Sequence, residues 1–272
     1  MNPIKFLRIT TRLLALVLVT FVYLIGYEAA SLLRGKKKQI DVINTWVPRW
    51  ARTNMWFFGV KVFAHRTCSD QFCGDQSCSD NDSIYPACGS QGVGRIFVMN
   101  HRSGLDIPVL LTVVEAHVIS RHDIATWPLL GRSARRVGTL FVDRTSRQSG
   151  ASVLKEVAKV LAKGEGVAMF PEGTAFAGDE VHEFRTGAFN AARRAGAEIV
   201  PLGVAYSDEA AYYRKESFLT HTKRIATLPR LRVAIEIGNP LQFEDRTPIE
   251  MKNLAEEQVQ ALVKQARARL ES

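Results

Sequence analysis

Short apolar runs alternate with amphipathic segments from residue 95 to the end of the chain. The runs have the length and composition of buried strands. They cover residues 95–99, 117–120, 139–142, 166–170, 199–206 and 231–237. Strands that alternate with helical segments are typical of one sheet with helices on its faces. The pattern therefore predicts an α/β fold with a mostly parallel or mixed sheet flanked by helices.

The segments between the strands include clear helical patterns. Helices are predicted over residues 149–163, 186–195 and 249–270. In the first, Leu154, Val157 and Leu161 share one face, and Gly164 follows the last turn, where glycine commonly ends a helix. The last has one apolar face, made of Met251, Ala255, Val259 and Leu262. These faces are predicted to cover the sheet.

The first 60 residues have a different pattern. An almost purely apolar run from Leu13 to Tyr27 extends to Leu33 if Glu28 is accepted. Basic residues flank it, namely Lys5, Arg8 and Arg12 before it and Arg34, Lys36, Lys37 and Lys38 after it. A signal peptide opens in the same way, but no small-residue cleavage site follows. We interpret the run as an uncleaved membrane anchor, spanning or re-entrant; the alternative is a buried core helix.

A second segment, residues 40–58, extends this membrane interpretation. Its apolar residues fall at helical spacing, and two arginines lie beside them; they are Ile43, Trp46, Val47 and Trp50 with Arg49 and Arg52. Tryptophan and arginine on one amphipathic helix suit the lipid head-group boundary, although a core helix has the same pattern. Pro48 is expected to kink or interrupt this helix. We therefore divide the chain into an N-terminal membrane segment, residues 1–60, and a domain of residues 61–272.

A loop rich in Ser, Asp, Gly and Gln covers residues 65–92 and contains all four cysteines. They are Cys68, Cys73, Cys78 and Cys88. Their spacing lacks the C-x2-C pair of common zinc sites. A metal clip, one or two disulfides and free thiols all remain open, and we expect no catalytic role.

The charge of the chain favours an anionic partner. Its 272 residues are 46% hydrophobic and carry a formal charge of +9. This balance suits phosphate head groups, a membrane surface or nucleic acid. The sequence has no nucleic-acid module and no basic stripe interleaved with aromatics, so nucleic acid is not expected as a partner.

The strongest chemical signal is His101-x4-Asp106, which directly follows an apolar run. Pro108 favours a helix that starts near Asp106. If the chain turns between the two residues, Asp106 can accept a hydrogen bond from one imidazole nitrogen, and the other nitrogen faces outward as a base. The alternative is a structural histidine beside a helix-capping pair, in which Ser103 or Asp106 is the N-cap.

Three further motifs lie at strand ends, where open α/β sheets place their sites. They are Gly138 to Arg144, Phe170-Pro171-Glu172-Gly173-Thr174, and Val200-Pro201. With His101-x4-Asp106 they stand in the order and spacing of four blocks of the glycerolipid acyltransferase family. The chain resembles this family over roughly residues 40–240. The best-known members are 1-acylglycerol-3-phosphate acyltransferases.

The resemblance implies a mechanism that agrees with the residue chemistry. His101 would take the proton of an acceptor hydroxyl, oriented by Asp106, and the hydroxyl oxygen would attack a thioester. A thioester is already activated, and the chain has no Gly-x-Ser-x-Gly elbow, so no enzyme nucleophile is expected. Backbone N–H groups near the helix start are expected to stabilise the oxyanion. Neither metal nor cofactor is expected, and acyl-CoA or acyl carrier protein is the co-substrate.

The resemblance also implies which residues bind the acceptor. Arg144 would bind the phosphate, because guanidinium makes bidentate bonds to phosphate oxygens. Glu172, Gly173 and Thr174 would bind the acceptor too, with the carboxylate either reading a glycerol hydroxyl or holding an arginine.

The chain departs from the family at one position. The family often has Arg directly after Gly-Thr, whereas this chain has Ala175-Phe176. One expected phosphate ligand is therefore missing, and Arg185 or Arg102 could replace it. The departure leaves open another lysolipid or an amino-acid lipid precursor as acceptor.

The sequence thus predicts a membrane O-acyltransferase that acts on a lysophospholipid, with 1-acylglycerol-3-phosphate as the first candidate and phosphatidic acid as the product. Expected partners are membrane lipids, the lysophospholipid acceptor and the acyl donor. The expected location is the cytoplasmic face of the inner or plasma membrane. The alternatives are a hydrolase that activates water with the His-Asp pair, and a non-catalytic lipid-binding protein on the same fold.

Overall fold

The computed structural model describes residues 3–35, 39–67, 84–89, 91–143 and 146–272. Its helices are α1 (Pro3–Arg34), α2 (Gln39–Phe57), α3 (Asp106–Leu110), α4 (His122–Ala125), α5 (Leu130–Arg136), α6 (Arg147–Leu161), α7 (Gly187–Ala195), α8 (Phe218–Thr227) and α9 (Pro248–Glu271). Its strands are β1 (Val60–Arg66), β2 (Ile96–Met99), β3 (His117–Arg121), β4 (Leu140–Val142), β5 (Val167–Met169), β6 (Ile199–Tyr206) and β7 (Leu231–Ile237).

The strands form one seven-stranded sheet in the order β1-β7-β6-β2-β5-β3-β4. All neighbours pair in parallel except β6 and β7, which are antiparallel. The strands β1 and β7 therefore run opposite to the other five. The predicted mixed sheet flanked by helices is confirmed.

Helices cover both faces of the sheet, and β2 shows how the sequence achieves this. Successive strand side chains point to opposite faces. Phe97 and Met99 pack with apolar residues of α2, α3 and α8, whereas Ile96 and Val98 pack with those of α6, α7 and α9. Because every residue of β2 is buried, the strand reads as a continuous apolar run in the sequence.

Most of the predicted elements occur within a few residues of their predicted bounds, and the apolar face of α9 is buried as expected. The predicted loop begins too early, because residues 65 and 66 belong to β1. Pro48 does not interrupt its helix, as had been predicted as one possibility, because α2 continues through this residue. Val47, Pro48 and Ala51 are all buried there, so tertiary packing outweighs the missing N–H bond.

The helices α1 and α2 pack on each other and on the domain. The outer face of α1 is apolar and exposed, with Leu14, Val17, Leu18, Phe21, Val22 and Ile25 all more than half exposed. By length and composition, this described helix could cross a membrane. Its buried residue Arg12 donates to the carbonyl of Phe57 at the end of α2 and to those of Ala226 and Leu228 at the end of α8.

Candidate active site

His101 and Asp106 meet at the carboxyl end of β2. The chain turns after the strand, α3 begins at Asp106, and His101 Nδ1 lies 2.6 Å from Asp106 Oδ2. The carboxylate is fully buried, whereas the imidazole is 14% exposed. In the described part of the chain, nothing bonds the other ring nitrogen, Nε2. The imidazole stacks on the ring of Phe170, which follows β5, with centroids 4.4 Å apart.

The capping alternative does not describe this turn. The N-cap of α3 is Leu105, and no side chain caps the helix. Asp106 instead reaches back, and its Oδ2 accepts the N–H groups of Arg102 at 2.6 Å and Ser103 at 2.8 Å. The carboxylate is therefore held by the turn that it closes.

A residue that sequence analysis missed completes this arrangement. Tyr206, the last residue of β6, is 1% exposed, and its hydroxyl donates to Asp106 Oδ1 at 2.6 Å. Burial and the neighbouring carboxylate hold the pKa of Tyr206 well above its ordinary value. The phenol therefore stays protonated and remains a donor. Tyr206 gives no sequence signal of its own, because it belongs to a fully apolar run.

Glu172 and Arg102 form a buried ion pair beneath His101. Arg102 Nη1 lies 2.8 Å from Glu172 Oε2, and neither side chain is exposed. The carboxylate also accepts the N–H of His101 at 2.7 Å and that of His182 at 2.8 Å. Of the two roles considered for Glu172, holding an arginine is the one seen here. The expectation that Arg102 could bind an acceptor phosphate is wrong, because its guanidinium is buried and paired.

The backbone N–H groups of the turn are all engaged within the chain. Residues 101–106 donate in turn to Glu172 Oε2, Asp106 Oδ2, Asp106 Oδ2, His221 Nε2, Ser103 Oγ and the Ser103 carbonyl. The expected oxyanion donors near the helix start therefore already have acceptors.

His101 opens into a cleft that residues from three strand ends line. The segment after β5 contributes Thr174 and Ala175, and β3 contributes Arg121. Arg121 is paired with Asp123 through two exposed hydrogen bonds of 3.0 and 2.9 Å. Sequence analysis missed Arg121 because it belongs to no motif.

Of the predicted acceptor ligands that the structure describes, Thr174 lines this cleft, whereas Glu172 is buried in its pair with Arg102. Gly173 has a φ of +78°, and a Cβ there would lie 2.5 Å from Arg185 Cζ. Glycine therefore allows both the turn and the close approach of the guanidinium. Arg185 is exposed and makes no ion pair within the described residues. Arg144 lies outside the described residues.

A second, apolar cavity of about 230 Å³ adjoins the cleft. Residues of α1, α2, α3, α5 and α8 line it. It shares lining residues with the cleft at His101, namely Gly104, Ile107, Ser120, Ile124 and Phe218. The cavity between the N-terminal helices and the sheet therefore lies directly beside the cleft.

The cysteine loop contributes nothing to the described site. Cys68, Cys73 and Cys78 lie outside the described residues, and Cys88 is a free thiol. Within the ranges that the structure covers, His, Cys, Asp and Glu side chains form no cluster that could hold a metal ion.

Comparisons with known proteins define the class. The model of the family named Acyltransferase matches residues 81–205. A lyso-ornithine lipid O-acyltransferase of Brucella abortus is 30% identical over 198 residues, 65% of this chain and 73% of that protein. A 1-acyl-sn-glycerol-3-phosphate acyltransferase of Neisseria gonorrhoeae is 28% identical over 179 residues, 62% of this chain and 69% of that protein.

A solved structure supports the fold over the whole chain. The crystal structure of the 1-acyl-sn-glycerophosphate acyltransferase PlsC of Thermotoga maritima superposes with a TM-score of 0.67 at 18% identity, covering 97% of this chain and 98% of that one. The fold, the motifs and the relatives together place the protein in a class of acyl-transferring enzymes. The chain belongs to the glycerolipid acyltransferase family, and it is an O-acyltransferase.

Proposed function

We propose that this enzyme transfers an acyl chain from a thioester donor, acyl-CoA or acyl carrier protein, to the free hydroxyl of a lysolipid. The first candidate acceptor is 1-acylglycerol-3-phosphate, and the product is then phosphatidic acid. The observation that carries the proposal is the 2.6 Å contact between His101 Nδ1 and Asp106 Oδ2 in a cleft that adjoins an apolar cavity.

His101 acts as the general base. Its Nδ1–H donates to Asp106, so that Nε2 carries the lone pair that takes the acceptor's hydroxyl proton. The hydroxyl oxygen attacks the thioester carbonyl, the C–S bond breaks as the ester forms, and the departing thiolate receives the proton. Asp106 stabilises the imidazolium between these steps and fixes the tautomer.

The oxyanion is stabilised by the backbone N–H groups of Thr174 and Ala175. The segment that contains them is fixed beside His101 from both sides, because Glu172 accepts the His101 N–H and the Phe176 N–H donates to the His101 carbonyl at 2.9 Å. Thr174 and Ala175 line the cleft, and within the described residues their N–H groups have no acceptor. These free donors beside the base suit a developing negative charge.

Arginines at the cleft bind the acceptor head group. Arg185 is exposed beside Gly173, and Arg121 lines the cleft. The exposed pair of Arg121 with Asp123 is worth about 0–1 kcal/mol, so a phosphate can displace it. Arg144 and Thr174 remain predicted ligands of the same head group.

The apolar cavity holds an acyl chain, and the exposed face of α1 enters the membrane. The cavity lies between α1, α2 and the sheet. An acyl chain that moves from the bilayer into this space stays in apolar surroundings. We place the enzyme at the cytoplasmic face of the inner or plasma membrane, where its acyl donors are dissolved.

A lyso-ornithine lipid is the second candidate acceptor. Three of the similar proteins are named lyso-ornithine lipid O-acyltransferase, at 28%, 31% and 30% identity. Ala175 stands where the family often has an arginine, which removes one cation that a phosphate would need.

The test is an acceptor panel with the purified full chain in mixed micelles. Labelled acyl-CoA and acyl carrier protein are each offered with 1-acylglycerol-3-phosphate, with lyso-ornithine lipid and without acceptor. We expect transfer to 1-acylglycerol-3-phosphate and its loss in His101→Ala. The matched control is His122→Ala, an exposed histidine that does not line the cleft, and it should retain activity.

Each other outcome identifies a different function. Transfer to lyso-ornithine lipid alone would select the second candidate. Loss of donor without acceptor would indicate a hydrolase. If His101→Ala kept substantial activity, the assignment of the base would be wrong.

A further inference from the structure

We propose that His221 is a positioning residue that holds the turn between His101 and Asp106 by accepting the N–H of Gly104. This inference depends on the proposed function, because it assigns His221 to the same catalytic pair. His221 belongs to α8, which packs on the turn, and its Nε2 lies 2.9 Å from the Gly104 nitrogen. Ser103 Oγ, at 3.2 Å, is a second contact of the same nitrogen.

The Gly104 N–H fixes which nitrogen of His221 accepts, because a backbone N–H can only donate and it points at Nε2. The ring is fully buried, and its Nδ1 lies 3.0 Å from Arg224 Nη2 and 3.3 Å from Glu216 Oε1. Arg224 Nη2 directs its two hydrogens to the Tyr212 carbonyl and to Glu216, so Nδ1 carries the ring proton, which is directed to Glu216. Burial, with the neighbouring Arg224 charge, lowers the pKa of His221 to about 4. The ring is therefore neutral at physiological pH, and Nε2 remains an acceptor.

Gly104 has no side chain, which leaves room for the His221 ring. Its φ is not in the left-handed region, so backbone conformation does not demand a glycine there. A Cβ at position 104 would lie 2.9 Å from His221 Cδ2 and 3.0 Å from Phe218 Cε2. The missing side chain thus allows α8 to approach the backbone closely enough for the hydrogen bond.

The hydrogen bond between Gly104 and His221 lies in the turn that orients Asp106 towards His101. Asp106 Oδ2 accepts from Arg102 and Ser103 as well as from His101, so the aspartate keeps its orientation only while the turn keeps its shape. Gly104, next along the turn, is anchored to α8 rather than to Asp106. Loss of that anchor lets the turn widen, and small misplacements of catalytic groups lower the rate by up to about a hundredfold.

His221 also belongs to the lining of the apolar cavity, which provides a competing explanation for any effect of substitution. A residue that only shapes the cavity changes the preference between short and long acyl donors. A residue that positions the catalytic pair changes kcat by the same factor for both.

The experiment compares His221→Leu, which removes the acceptor, with His221→Gln, whose side-chain oxygen can replace it. His122→Leu, at an exposed position, is the matched control. We expect His221→Leu to lower kcat about 10- to 100-fold with both donors, with an acceptor KM within about twofold of wild type. His221→Gln should recover most of that loss, and the control should behave as wild type.

Amide hydrogen exchange of the peptide that contains residues 101–106 provides a readout independent of activity. It should accelerate in His221→Leu and stay near wild type in His221→Gln. Equal kcat in wild type and His221→Leu, equal losses in both variants, or unchanged exchange would overturn the proposal. A wild-type enzyme with no transfer to any acceptor would instead overturn the proposed function, and the exchange measurement would still decide the role of His221. Circular dichroism of both variants identifies a misfolded one; if His221→Leu misfolds, His221→Asn, whose shorter side chain cannot reach the Gly104 N–H, takes its place.

Discussion

Tyr206→Phe removes a single hydroxyl that holds Asp106, the proposed catalytic aspartate. The Tyr206 hydroxyl is the donor to Asp106 Oδ1 in the described structure, at 2.6 Å, and both side chains are buried. Oδ2 keeps its three donors. The substitution therefore leaves one oxygen of a buried carboxylate without a partner while the ring packing of residue 206 is preserved.

The size of the effect follows from this geometry. A hydrogen bond to a charged group contributes about 1.5–3 kcal/mol, so the free energy of unfolding should fall by about 2 kcal/mol. At about 2–4 °C per kcal/mol for a domain of this size, the apparent unfolding midpoint falls by about 4–8 °C. If the same energy orients Asp106 when His101 becomes charged, kcat falls about 10- to 100-fold, because 1.4 kcal/mol corresponds to a factor of ten.

The assay measures the unfolding midpoint in detergent together with kcat and the acceptor KM. The KM should not change, because Tyr206 lines neither the cleft nor the apolar cavity. Tyr212→Phe is the control: its hydroxyl donates at 3.0 Å to Asp179, a partly exposed carboxylate that Arg267 also holds. An unchanged kcat in Tyr206→Phe, or an effect confined to KM, would refute the idea that Tyr206 orients the aspartate.

Three further predictions concern acid stability, the oxyanion and the membrane. Because the pKa of His221 is lowered to about 4 in the folded protein and lies near 6.5 in an unfolded chain, the unfolded chain gains a proton first as the pH falls from about 6.5 to 4. The free energy of unfolding should therefore decrease across this window by on the order of 3 kcal/mol. Urea titrations at pH 6.5 and pH 4 should show a smaller decrease in His221→Gln than in wild type. Equal decreases in the two proteins would contradict the reasoning. Ala175→Pro removes one proposed oxyanion donor, so kcat should fall about 100- to 1000-fold. The control Ala175→Gly keeps the N–H group, and its kcat should stay within a few-fold of wild type. Equal kcat values in the two variants would exclude this donor. Leu18→Asp places a charge on the exposed face of α1, where Leu18 is 62% exposed, and should weaken vesicle binding in a flotation assay. The control, Ile249→Asp, changes a residue of α9 that is 61% exposed and should bind vesicles as wild type does. Equal losses of vesicle binding in the two variants would argue against a role for α1.

The predictable part of the fold is the part that local patterns determine. The run at residues 96–99 is apolar at every position because both faces of β2 are covered, and the face of α9 repeats at helical spacing because one side alone is buried. The short helices α4 and α5 were not predicted, since four and seven residues are too few to establish a period. The strand β1 was missed because its side chains are mostly only partly buried.

The candidate site also has a part that local sequence predicts and a part that only the folded chain brings together. His101 and Asp106 are close in sequence, so the turn that joins them could be predicted from their spacing. Tyr206 and His221 reach the same turn from more than a hundred residues away, and only the order of strands and the packing of α8 bring them there. Arg102 was wrongly expected to bind phosphate because it follows His101, which faces the cleft. Its own side chain points into the protein and pairs with Glu172.

The helix α8 contacts both α1 and the turn between His101 and Asp106. Arg12 of α1 donates to carbonyls at the end of α8, and Arg8 donates to Thr227 at 2.6 Å. Less than two turns towards the other end of the same helix, His221 accepts the Gly104 N–H. These guanidinium bonds satisfy carbonyl groups that the end of a helix leaves open, and apolar residues of both helices, such as Leu16 and Ile225, pack in the same core. In the proposed arrangement, the depth at which α1 enters the bilayer therefore fixes the position of α8, and with it the position of the turn that holds His101, relative to the membrane surface.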